Sequence, residues 1–156
     1  MWYSPLILFI DANAVERDHY SEHLGHSLPN LKIVHAATGH SGLAFCESHL
    51  VDCVVLEMDL PDMSGFEVLL RLVRRVHHPA IAVIMLTRIS NKYLLEAATR
   101  NGAQAAFYKA TTRRDVLDKA ILKAVCAVPK DLERTNGSVL IFETAGPAKI
   151  EVHQRH

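Results

Sequence analysis

Apolar runs of strand length recur along the chain: LILFI (6–10), LKIVHAA (31–37), CVVLEM (53–58), IAVIMLT (81–87) and AAFYK (105–109). Segments with helical spacing of apolar positions separate them. The first starts at Asn13 with Glu16 three residues on, the spacing of a capping box. The second covers HSGLAFCESHL. The third starts at Ser64 with Glu67 three residues later, again a capping-box spacing. The fourth is NKYLLEAATRNG, closed by Gly102 as its C-cap. The fifth starts at Thr112 with Asp115 and puts Val116, Ala120, Ala124 and Leu117, Ile121, Val125 on one face.

A β-α unit repeated five times predicts an α/β fold, with a parallel sheet covered by helices on both faces. Right-handed crossovers make 2-1-3-4-5 the expected strand order. The repeating pattern stops after Val128. PKDLERTNGS reads as a polar connector, and VLIFETAGPAKIEV (139–152) as two short strands around Gly146-Pro147. Residues 5–128 are therefore expected to form one domain, and 129–156 a connector and hairpin-like tail. A two-stranded hairpin is marginal alone in water, so the tail is expected to dock on the domain or on a second copy, unless it is the stump of a longer chain.

Composition narrows the function. The chain has 156 residues, 49% apolar and 22% charged, which suits a soluble globular domain. Seventeen Lys and Arg balance seventeen Asp and Glu, so no net field favours nucleic acid or an anionic membrane. No apolar run is long enough to span a bilayer, and MWYSPLILFID lacks the basic region and cleavage site of a signal peptide. Cys46, Cys53 and Cys126 are odd in number and show no metal-ligand spacing. Cys53 reads as a reduced core residue, and a cytoplasmic location is expected.

In a parallel sheet of this order the ligand site lies at the carboxyl ends of the strands. Strand 1 ends in Asp11. Strand 3 ends in Glu57, with Asp59 in the next loop. Strand 4 ends in Thr87 followed by Arg88, and strand 5 ends in Lys109. Asp11, Glu57 and Thr87 are expected to converge, with Lys109 reaching over them. Carboxylates, a hydroxyl and an ammonium at one spot suit a hard cation and a phosphoryl group.

These residues carry a resemblance. LFIDAN, VVLEMDLPDMSGFEVL, VIMLT and GAQAAFYK together resemble the response-regulator receiver domain over roughly residues 5 to 128. The resemblance implies a flavodoxin-like (βα)5 fold and a role in two-component signalling. It also implies Mg²⁺ beside an aspartate that takes a phosphoryl group from a sensor histidine kinase, with Thr87 and Lys109 contacting that group. The departures are as informative. Glu57 stands where the acceptor aspartate should be, four residues before Pro61. Ala12 replaces one carboxylate of the acidic pair. Arg88 replaces a small residue, Ala106 the aromatic switch residue, and Ala110 the proline after the lysine. With Ala12 in place a divalent cation would lose charge and coordination. The expectation is a degenerate receiver, with no usual phosphorylation and no cofactor, that works through protein contacts with a kinase or another signalling protein, or as a homodimer. Glu57 then either imitates part of the phosphoryl charge or is simply held by Lys109. Asp59 is a poor substitute acceptor because it lies two residues too far along. Asp11 is expected to pair with Lys109 or Arg88, and Arg88 to lie near Glu57, Asp11 or Asp59.

The family's usual signalling surface maps here onto Lys92, Tyr93, Glu96, Arg100 and Arg113, mixed charge around one aromatic. His19, Glu22 and His23 spell a zinc-protease pattern, but no third ligand is evident, so a solvated helix face is expected. His77-His78, with Arg71, Arg74 and Arg75, makes a basic end to the third helix. Two other functions compete. One is a phosphorylatable, Mg²⁺-dependent regulator. The other is a flavodoxin-like ligand binder, disfavoured because no glycine-rich phosphate loop follows strand 1.

Overall fold

The computed structural model describes residues 3–73 and 81–127, and the backbone of 150–153. Strands β1 (Leu6–Ile10), β2 (Lys32–Ala36), β3 (Cys53–Leu56), β4 (Ala82–Thr87) and β5 (Ala105–Tyr108) alternate with helices α1 (Ala14–Ser27), α2 (Gly39–Ser48), α3 (Gly65–Val73), α4 (Lys92–Arg100) and α5 (Arg114–Ala127). The five strands are parallel and run in the order 2-1-3-4-5. This is the flavodoxin-like arrangement expected from the alternation.

A sixth strand, β6 (Ile150–His153), lies antiparallel on the outer edge of β2, with Ile33 opposite His153 and Ala36 opposite Ile150. It covers an edge that would otherwise expose unpaired backbone groups. The expected hairpin partner, from 139 onward, falls outside the described residues, as do Arg74, Arg75, His77 and His78.

Side chains on successive strand positions point to opposite faces, so each strand feeds two cores. Leu8, Ile10, Val54, Leu56, Val83 and Met85 pack with Leu43 and Phe45 of α2, Val68, Leu69 and Leu72 of α3, and Ala98 of α4. Ile7, Phe9, Cys53, Val55, Ile84 and Leu86 pack on the other face with Leu24 of α1 and Leu117, Ile121, Ala124 and Val125 of α5. Cys53 is buried, which pushes its thiol pKa up. None of the three cysteines is in a disulfide.

Several local expectations change. Asn13 caps α1 by accepting the Glu16 backbone N–H, but Glu16's side chain does not return to it. Ser64 takes the Phe66 N–H, while Glu67 pairs with Arg71 one turn on, so neither capping box closes. The complete capping box belongs instead to Thr38 and Ser41 at the start of α2. Val116 is exposed, because the buried stripe of α5 follows Leu117, Ile121 and Ala124. Gly102 does end α4, with φ +108, a left-handed conformation that costs glycine little. His23 reaches Asp118 of α5 at 3.0 Å, which ties the two helices together. Among the described residues no three His, Cys, Asp or Glu side chains are grouped to hold a metal ion, and no helix is long and apolar enough to cross a membrane.

Candidate functional site

The last rungs of the parallel ladder position the site. One residue beyond β1, the Asp11 N–H still donates to Ala36 O (3.0 Å). One residue beyond β3, the Glu57 N–H donates to Ile10 O (2.9 Å), and one beyond β5 the Lys109 N–H donates to Thr87 O (2.8 Å). Thr87 is itself the last residue of β4. Three backbones held in register thus deliver Asp11, Glu57 and Lys109 to one level at the carboxyl edge. The order reverses between β1 and β3, where a crevice opens in a sheet of this kind.

Glu57 is 4% exposed and folds back over its own strand end. Its Oε1 accepts the backbone N–H groups of Met58 (2.7 Å) and Asp59 (3.2 Å) and the Thr87 hydroxyl. Its Oε2 accepts the Arg88 N–H (3.2 Å) and lies 2.9 Å from Lys109 Nζ. Gly65 makes room for this turn. A Cβ there would stand 2.1 Å from the Glu57 carbonyl oxygen, and the Gly65 N–H donates to Met58 O at 2.8 Å.

Lys109 sits among three carboxylates. Its ammonium bonds Asp11 Oδ2 at 2.5 Å, Glu57, and Glu16 Oε2. Burial opposes the lysine's charge, but the bonds to Asp11, Glu16 and Glu57 outweigh it and raise the pKa above its ordinary value. Asp11's other oxygen accepts the Asn13 N–H (2.8 Å). Its carbonyl accepts from the buried Arg17.

Glu16 is the residue that spacing misassigned. With the Asn13 N–H taken by Asp11, the Glu16 side chain turns to Lys109 and to Arg88, whose Nε and Nη2 reach its Oε1 at 2.9 and 2.7 Å. Burial acts to raise the Glu16 pKa, but the bonds to Arg88 and Lys109 prevail and lower it. Arg88 lies beside Glu57, as expected, through its backbone N–H, while its guanidinium pairs with Glu16, a carboxylate the expectation did not name. Asp59 is exposed and meets the site through its N–H. Ala106 packs toward α2, α3 and α4, and Phe107 packs on the opposite face, so Phe107 does not stand in for the missing aromatic.

Beside the site, the Asp62 carboxylate accepts the N–H groups of Gly39 and His40, each at 2.8 Å, and lies 2.5 Å from His40 Nδ1. It anchors the β3–α3 loop to the start of α2. Further off, Lys92, Tyr93, Glu96, Arg100 and Arg113 are all exposed. Tyr93 is 70% exposed, with Lys92 Nζ 5.2 Å above its ring, and Arg100 pairs with Glu96 at 3.6 Å.

The sequence matches the response regulator receiver domain family over residues 7–121. The chain is 28% identical over 111 residues to the cyclic di-GMP phosphodiesterase response regulator RpfG of Xanthomonas campestris pv. campestris (strain 8004), covering 71% of this chain and 28% of that protein. It is 29% identical over 112 residues to the transcriptional activator protein ExaE of Pseudomonas putida, covering 72% of this chain and 51% of the relative. The chain therefore spans about half the length of these relatives or less. Among solved structures, the CheY-like response regulator receiver domain protein of Methanospirillum hungatei JF-1 superposes with a TM-score of 0.68 at 26% identity, over 78% of this chain and 94% of that one. With the sheet order, the strand-end residues and the family match in agreement, the chain belongs to the response regulator receiver domain family of two-component signalling.

Proposed function

We propose that this receiver is held in a partly activated, phosphorylation-independent state by Glu57 and signals through protein contacts. One observation supports this above the others. Five donors, namely three backbone N–H groups, the Thr87 hydroxyl and the Lys109 ammonium, are directed at the Glu57 carboxylate. Thr87 and Lys109 are the residues that would contact a phosphoryl group, so the carboxylate uses the donors such a group needs. The extra methylene of Glu relative to Asp supplies the reach. The imitation is incomplete, because a carboxylate carries −1 against roughly −2 for a phosphate and has two oxygens rather than three.

The same arrangement argues against Mg²⁺. Position 12 offers a methyl group, both Glu57 oxygens are engaged, and Lys109 already supplies positive charge between Asp11 and Glu57. A hard cation needs several free oxygens, and this set does not fit one. The output then passes through the exposed α4 face to a sensor histidine kinase, another signalling protein or a second copy.

The test is Mg²⁺-dependent labelling by acetyl phosphate. A carboxylate oxygen attacks phosphorus, and the bond to the acetate oxygen breaks with its electron pair leaving on acetate. The wild type and Glu57→Asp should stay unlabelled, and Glu57→Asp with Ala12→Asp should label. The single change restores the acceptor's length but leaves the cation site one carboxylate short, and transfer needs charge neutralisation there. Labelling of the wild type at Glu57 or Asp59 would overturn the proposal. Labelling of Glu57→Asp alone would show that Ala12 is tolerated.

A further inference from the structure

We infer that Glu16 and Arg88 form a salt-labile strap that closes the anion cradle to a phosphoryl-sized group and holds the start of α1 against the β4–α4 loop. The inference deepens the reading of Glu57 as an internal substitute for the phosphoryl group, and rests on it. The side chains are stacked by exposure. Arg88 is 58% exposed, Glu16 28%, Lys109 7% and Glu57 4%. The guanidinium is therefore the most exposed member of the chain of charges that runs through Glu16 and Lys109 to the buried carboxylate.

Each Glu16 oxygen has its own cation. Oε1 takes both Arg88 donors, and Oε2 takes Lys109. Arg88 is held at both ends, by its backbone N–H on Glu57 and by its side chain on Glu16. The connection continues into the next element. The Ile89 N–H donates to Thr87 Oγ1, the Asn91 N–H to Ile89 O, and Asn91 caps α4 by accepting from Tyr93 and Leu94. Glu16 lies in the first turn of α1, where its backbone N–H is fixed by Asn13. One part-exposed ion pair thus joins the first turn of α1 to the β4–α4 loop across the site. Such a pair is weak and screened by salt, which suits a closure that must yield to a partner.

Amide hydrogen exchange tests the closure without any phosphorylation. In the otherwise wild-type protein, Arg88→Ala should speed exchange of segments 13–17 and 88–91 by roughly two- to fivefold at low salt. Molar salt should do the same to the wild type, and Arg88→Lys should restore part of the protection. Unchanged exchange in both segments on Arg88→Ala overturns the strap. A second arm tests access. In the Glu57→Asp, Ala12→Asp protein, adding Arg88→Ala should raise Mg²⁺-dependent labelling by acetyl phosphate at least about fivefold, and Arg88→Lys by less. Equal rates with and without Arg88, zero included, overturn the closure. Labelling of the wild type at Glu57 would instead overturn the functional reading, while the exchange arm still decides the strap.

Discussion

A glutamate and an aspartate differ by one methylene, and at position 57 the longer side chain brings its carboxylate to five donors. Asp11, Glu57, Thr87 and Lys109 were legible in the sequence because each closes an apolar run, and strand ends in a parallel sheet fall at one edge. Glu16 was not. Its spacing from Asn13 suggested a side chain folded back onto the helix start, but Asp11 Oδ1 occupies the Asn13 N–H. With that bond made, Glu16 turns instead to Lys109 and gives Arg88 its partner. The charge balance at the site then rests on Lys109. Lys109→Met keeps the apolar stem and removes the ammonium from Asp11 and the buried Glu57. It should lower stability at neutral pH by about 3 kcal/mol in urea denaturation, because a carboxylate left buried without its partner costs more than the pair contributed. A loss under about 1 kcal/mol would mean that the backbone N–H groups alone satisfy Glu57.

Among the elements, strand positions followed from apolar runs to within a residue or two, because burial on both faces leaves little choice of residue. Helix starts were placed as closely, with Asn13 and Asn91 as caps, but the capping-box bonds were not, since they depend on which polar group reaches an N–H first. Asp62 shows the limit. It belongs to the motif LPDMSG, yet its work is to bind the start of α2 through Gly39 and His40, a contact between loops that no local pattern signals. Burial would raise its carboxyl, but the N–H groups of His40 and Gly39 and the His40 ring prevail and hold its pKa near 2, against an ordinary 3.8. A group with a depressed folded-state pKa contributes stability above its unfolded value and loses it as pH falls through the folded one. Asp62→Asn should therefore be less stable than the wild type at neutral pH, and the difference should fade between about pH 4 and pH 2. Thermal melts across that range check it. A constant difference would show that Asp62 acts only by packing.

At the scale of the molecule, β-α alternation and right-handed crossovers lead to one sheet order, which is why the architecture was readable from pattern alone. The place of β6 was not, because an isolated apolar run carries no mark of which edge it will join. The sheet's carboxyl edge connects to the surface through a short path: Glu57 to Thr87 and Arg88, then Ile89, Asn91 and the first turn of α4. On the proposed reading, a cradle filled from within would hold that path in one arrangement, and the face carrying Lys92, Tyr93, Glu96 and Arg100 would be presented constantly rather than on demand. Tyr93 suits an anchor, because it is a large, mostly exposed ring with a cation above it. Self-association or kinase binding through this face should weaken at least about tenfold in Tyr93→Ala, the usual scale of an aromatic anchor. Arg100→Glu should weaken it further at low salt by setting like charges beside Glu96. Sedimentation at increasing protein concentration, and titration against a histidine kinase, give the two readouts. Affinities unchanged in both variants would place the contact elsewhere, and would separate an internally occupied cradle from the presentation of α4.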